Sequence, residues 1–78
     1  RRRFDIILLD PPYGSGLLQQ AIERIVSFDI LSPHGIMVAE SAAGETLPPL
    51  PAPYSVYREY RYGKIKVTLC RRAGEEEL

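Results

Sequence analysis

The sequence predicts an α/β fold built on a parallel strand pair, on three observations. An apolar run, Phe4–Leu9, is broken only by Asp5 and stops abruptly at Asp10-Pro11-Pro12-Tyr13. The stretch Leu17–Phe28 then carries apolar residues at helical spacing, and a second apolar run, residues 36–39, follows it. Strand, helix and strand in that order form a right-handed βαβ unit whose strands lie parallel, with their carboxyl ends on one edge.

The first run is short, continuous and rich in branched side chains, which suits a strand buried on both faces. Pro11 ends it, because proline has no amide N–H, holds φ at about −65° and drives the preceding residue toward extended backbone. Asp10 therefore stands at the carboxyl end of a strand on stiffened backbone, the edge where open α/β sheets bind ligands. An exocyclic base amine is a weak nucleophile, since its lone pair is delocalised into the ring. Asp10 and the Pro11 carbonyl are placed to accept its two hydrogens, orient the nitrogen and stabilise charge developing on it. Tyr13 offers a ring for stacking on an extruded base, and Pro12 keeps the segment rigid. The same residues also make an ordinary strand-to-turn passage.

Gly14 and Gly16 permit a sharp turn, and Ser15 is the expected N-cap of the helix. No lysine follows, so this is not a phosphate-binding loop. Leu17, Leu18, Ala21, Ile22, Ile25 and Val26 share one helical face, with Gln19, Gln20, Glu23, Arg24 and Ser27 opposite. Pro33 and Gly35 predict a tight turn with His34 exposed on it. The second strand ends at Glu40-Ser41, so Glu40 lies on the edge that holds Asp10 and is a candidate for shaping a substrate pocket.

Residues 42–53 read as a loop crowded with Pro48, Pro49, Pro51 and Pro53, which also forms a weak P-x-x-P match to polyproline ligands. Tyr54–Tyr62 is a strand in which Arg58 and Arg61 interleave with tyrosines, a composition suited to RNA stacking and phosphate pairing or to a half-wet sheet edge. Gly63-Lys64 reverses the chain. Ile65, Val67 and Leu69 then alternate with Lys66, Thr68 and Cys70, which predicts a strand with the aliphatic face dry and Cys70 partly buried. The last two strands make an antiparallel hairpin.

With 78 residues the chain is at most one small domain, 1–78, hiding roughly 60–65% of its unfolded surface. Its formal charge is zero, although Arg1, Arg2 and Arg3 open it and Glu75, Glu76 and Glu77 nearly close it, so no global field draws it to nucleic acid or acidic lipid. One cysteine excludes an internal disulfide and points to the cytoplasm; one histidine argues against a zinc site or a Ser-His-Asp triad. No metal is expected. No apolar stretch approaches the roughly 20 residues of a membrane span, and no signal peptide is read.

Phe-Asp-Ile-Ile-Leu-Leu-Asp-Pro-Pro-Tyr at the head and Arg-Tyr-Gly-Lys-Ile-Lys-Val at the hairpin make nearly the whole chain similar to the C-terminal half of a class I methyltransferase. More narrowly, it resembles the bacterial RsmD-like family, which methylates a guanine amine in small-subunit ribosomal RNA. The resemblance implies S-adenosylmethionine as cofactor and ribosomal RNA or the small ribosomal subunit as partner. It implies Asp10, Pro11, Pro12 and Tyr13 as catalytic residues, and a strand order in which the last strand inserts between the second and third. Glu40 matches the family's strand-end Glu. The family's cofactor-binding first half has no counterpart here, so the expectation is a single partial domain, inactive alone, that self-associates through the Phe4–Leu9 strand edge. Adenine-N6 methylation of DNA uses the same tetrapeptide, and a non-catalytic module working through the Pro-rich loop or the Tyr/Arg strand is the reading of a different class.

Overall fold

The computed structural model describes residues 2–74; Arg1 and the acidic residues 75–77 lie outside them. The chain runs through β1 (Phe4–Leu9), α1 (Leu17–Phe28), β2 (Leu31–Ala42), β3 (Tyr54–Tyr62) and β4 (Ile65–Arg72). These build a four-stranded sheet in the order β1-β2-β4-β3, with β1 and β2 parallel and the other two pairs antiparallel. The βαβ unit and the hairpin are those the sequence predicts, and the inserted last strand is the one the resemblance implies.

Leu18, Ile22 and Ile25 stand three and four residues apart, so they share the face of α1 that packs on Leu31, Met37, Ala39, Tyr54 and Cys70. Full burial of each is worth about 1.5–3 kcal/mol. Gly16, not Ser15, is the N-cap, because the position has a left-handed φ of 79° that glycine adopts without a Cβ penalty. Ser15 serves one residue earlier: its hydroxyl donates to the Pro12 carbonyl at 2.7 Å and accepts from the Leu17 N–H at 3.2 Å.

Three expectations need correction. First, β1 is not buried on both faces. Ile7 and Leu9 pack toward the core, but Ile6 is 66% and Leu8 73% exposed, because α1 covers one face of the sheet and β1 is its edge. Second, the turn expected around Pro33 lies within β2. Phe4 pairs with Leu31 but Ile6 with Ile36, so residues 32–35 are absorbed in an irregularity where His34 takes φ 64°. Gly35 is required there: a Cβ would stand 2.7 Å from the Ser32 carbonyl oxygen.

Third, β4 presents its faces the other way round. Lys66, Thr68, Cys70 and Arg72 are buried, whereas Ile65, Val67 and Leu69 are only half-buried. The alternation is as read, but register decides which face is covered. Lys66 stands opposite Ser41, Thr68 opposite Ala39 and Cys70 opposite Met37, all on the face under α1 and the 43–53 loop. Cys70 is wholly buried rather than partly, and burial pushes its thiol up to about 11, so it is inert as a nucleophile. Lys66 keeps its charge satisfied by donating to the Glu45 carbonyl at 2.7 Å and pairing with Glu59 at 3.4 Å. The loop is docked: Leu47 and Leu50 pack against the core, and Gln19 donates to the Thr46 carbonyl at 2.6 Å. Apolar side chains turned inward weaken its reading as a free polyproline ligand.

The end of the sheet where β1 begins is tied by Asp29, the C-cap of α1 at φ 54°. Its carboxylate accepts from Arg72 at 2.8 and 2.9 Å, from the Tyr54 hydroxyl at 2.6 Å and from Arg3 at 3.1 Å. The Arg72 and Tyr54 hydrogen bonds hold Asp29 well below the usual carboxylate range, against a smaller opposing effect of burial. Burial, then the bond to Asp29, pushes the Tyr54 phenol up to about 12.

Candidate nucleobase-amine site

At the opposite end, Leu9 pairs with Ala39, so Asp10 leaves β1 level with Glu40. Asp10, Pro11, Pro12 and Tyr13 line an open cleft of about 320 Å³. Asp10 is exposed, and its carboxylate makes no hydrogen bond or ion pair among the described residues. Tyr13 is 46% exposed, and its hydroxyl donates to the Glu40 carboxylate. That bond, followed by desolvation and the charges of Glu40 and Asp10, pushes the phenol up to about 12. Tyr13 is thus a neutral, oriented ring across the physiological range.

The cleft pairs acceptors with an aromatic face and has no lysine or arginine in its lining. Two nearby carboxylates and a proline carbonyl are complementary to an N–H donor and repel a phosphate. The structure brings Glu40 to this edge, where its carboxylate accepts from the Tyr13 hydroxyl.

Arg58 and Arg61 are not brought together. They stand three residues apart on a strand, so they point to opposite faces. Arg58 is opposite Leu69 on the face without a helix, while Arg61 is opposite Lys66 on the covered face, 4.0 Å from Glu59. Two arrangements have no signature in the sequence. Asp29 gathers partners up to 43 residues away, a convergence with no local signal beyond an Asp directly after a helix. Arg71 lies 4.8 Å and Arg58 5.5 Å from the centre of the Tyr57 ring, and only the bulge between Val56 and Arg58 sets that geometry.

S-adenosylmethionine, the cofactor the resemblance implies, is not matched by these residues. Gly14 and Gly16 follow the turn, and an added Cβ at either would meet nothing within 4 Å, so neither forms a close cradle. Among the described residues no cluster suited to a metal ion occurs, and no helix is long and apolar enough to cross a membrane.

An inserted antiparallel strand beside β2, with an Asp-Pro-Pro-Tyr turn at the carboxyl edge, defines half of a class I methyltransferase sheet. The chain belongs to the family described as conserved hypothetical protein 95, whose profile matches residues 1–71. It is 30% identical over 73 residues to ribosomal RNA small subunit methyltransferase D of Escherichia coli K12, covering 94% of this chain and 37% of that protein. Solved structures share the fold. A candidate methyltransferase from Escherichia coli superposes with a TM-score of 0.80 at 28% identity, over 95% of this chain and 41% of that one. A candidate methylase from Haemophilus influenzae gives 0.82 at 25% identity, over 92% and 40%. A conserved hypothetical protein from Streptococcus pyogenes gives 0.77 at 32% identity, over 91% and 44%. The chain spans well under half the length of each.

Proposed function

We propose that these residues form the base-side half of a cytoplasmic S-adenosylmethionine-dependent methyltransferase acting on the exocyclic amine of a guanine in small-subunit ribosomal RNA. The observation that carries this is the uncommitted Asp10 carboxylate beside the Pro11 carbonyl, in an anionic cleft at the carboxyl edge of a methyltransferase-type sheet. Asp10 accepts one amine hydrogen and the Pro11 carbonyl the other, which aims the nitrogen and stabilises the charge it gains. Tyr13, oriented by Glu40, stacks on the extruded base. The methyl group comes from the cofactor, held by elements outside these residues.

Full-length protein containing this chain is expected to methylate under-modified small ribosomal subunits and to leave duplex DNA untouched. Transfer to adenine in DNA would replace this reading with the DNA one. The isolated 78-residue chain is expected to transfer nothing. It is also expected to self-associate through β1, whose Ile6 and Leu8 are exposed and which, among the described residues, pairs on one side only. Sedimentation at micromolar concentration showing a monomer would refute that.

A further inference from the structure

The face of the sheet opposite α1 is divided. Toward β1 it is aliphatic, with Ile6, Leu8, Ile36 and Val38 aligned across the strands. Toward the hairpin it becomes aromatic and cationic. Tyr57 is 47% exposed and has the Arg71 guanidinium at 4.8 Å and the Arg58 guanidinium at 5.5 Å from its ring centre. Each contact uses the electron-rich ring face to hold a cation in place. Neither arginine has a carboxylate in ion-pairing reach among the described residues. The reason is strand alternation: Glu59 is opposite Thr68, so it turns to the covered face and pairs there with Lys66.

A cavity of about 330 Å³ opens beside the ring, with His34, Ser55, Tyr57, Arg71 and Arg72 in its wall and no acidic residue. Arg72 is committed to Asp29, which leaves Arg71 as the cation at the mouth, with the Ser55 hydroxyl beside it. Bringing two guanidinium groups to one ring without a counter-charge costs repulsion. The ring face offsets part of that repulsion, and an anion between the two guanidinium groups would relieve the rest. Arg71 is opposite Ile36, four residues before Glu40 and two strands from Asp10, so the cavity lies roughly 15 Å from the amine cleft.

We propose that Tyr57, Arg58 and Arg71 form a platform for backbone phosphates of single-stranded RNA, separate from the cleft that takes the base. This rests on the reading of RNA as the substrate and adds a second contact for it, beside the cavity at Tyr57. The two sites divide the work by charge. The anionic cleft selects an amine and the cationic platform holds the backbone, so phosphates are drawn away from Asp10.

The test is a fluorescence-anisotropy titration of the 78-residue chain with a labelled single-stranded RNA oligonucleotide at several salt concentrations. Arg71→Gln and Arg58→Gln are each expected to weaken binding about fivefold and to lower the salt slope by about 0.7. Arg71→Lys should keep the slope, since the charge remains. Arg24→Gln, on the solvent side of α1, should change nothing. Circular dichroism melts of each variant separate loss of contact from loss of fold. Equal effects from Arg24→Gln and Arg71→Gln, or no binding by the wild-type chain, would overturn the platform. Failure of the substrate reading looks different: full-length protein methylating only DNA while this chain still held RNA through Arg71 would end that reading and leave the platform standing.

Discussion

The two ends of the sheet are built on opposite terms. Where β1 begins, one carboxylate, Asp29, accepts from Arg3, Tyr54 and Arg72, and the Arg72 side chain is 5% exposed. Where β1 ends, Asp10 is exposed and without hydrogen-bond or ion-pair partners among the described residues, and the Tyr13–Glu40 hydrogen bond ties the turn across to β2. Both ends carry an aspartate next to a turn. One has its acceptor capacity filled by the fold and the other has it free. Stability is placed away from the cleft, so the cleft can keep an unsatisfied acceptor aimed at solvent without threatening the domain.

Three substitutions sharpen or break that contrast. The largest effect is expected from Asp10→Ala in the full-length protein: methyl transfer should fall about 10²–10³-fold, the usual cost of losing a preorganised group at a developing charge. The melting midpoint should stay within a degree or two, since Asp10 supports no other residue. A rate within a few-fold of wild type would show that the free acceptor is not used. Next comes Asp29→Asn, which keeps a residue tolerant of the left-handed C-cap and removes the charge. Arg72 is then buried without its counter-ion, and denaturant melts should show a loss of about 2–3 kcal/mol. A loss below about 0.5 kcal/mol would mean that the network is ornamental.

The acid limb tests the same group. The folded pKa of Asp29 is depressed, so the unfolded chain binds more protons between the two values and stability rises with pH there. The contribution is complete above the unfolded carboxylate value of about 3.9 and is lost as pH falls toward the lower folded one. Asp29→Asn should flatten the stability profile below about pH 4. The smallest effect is expected from Glu40→Gln. Fold and melting point should be unchanged, but the Tyr13 phenol should return from about 12 toward its ordinary value, read from phenolate absorbance against Tyr13→Phe. An unmoved titration would show that Glu40 does not hold the ring.

Element order and boundaries were legible because they depend on local patterns: α1, β1 and β3 lie where periodicity and turn residues put them. Burial was less legible. The aliphatic face of β4 was expected to be dry, but Lys66 and Thr68 are on the covered side, a matter of which face a helix happens to roof. The extension of β2 through Pro33 and Gly35 was hidden for a similar reason, since pairing with β1 overrides a local turn signal. At the cleft, a tetrapeptide is sufficient to place Asp10, Pro11 and Tyr13 at a strand end. The partner of Glu40 and the ring shared by Arg58 and Arg71 depend on side-chain geometry across strands, which no spacing encodes.

The insertion of β4 between β2 and β3 also fixes an order of assembly. Among the described residues β3 has no strand neighbour except β4, which it joins through the turn at Gly63. The pairing of β4 with β2 closes much longer loops, from Ala42↔Ile65 out to Ile36↔Arg71. Loop-closure entropy favours the local hairpin, so β3 and β4 are expected to pair before β4 docks onto β2, which φ-values along the two strands would check. Lengthening the Gly63 turn would accordingly slow folding while leaving the Asp10 edge as it was.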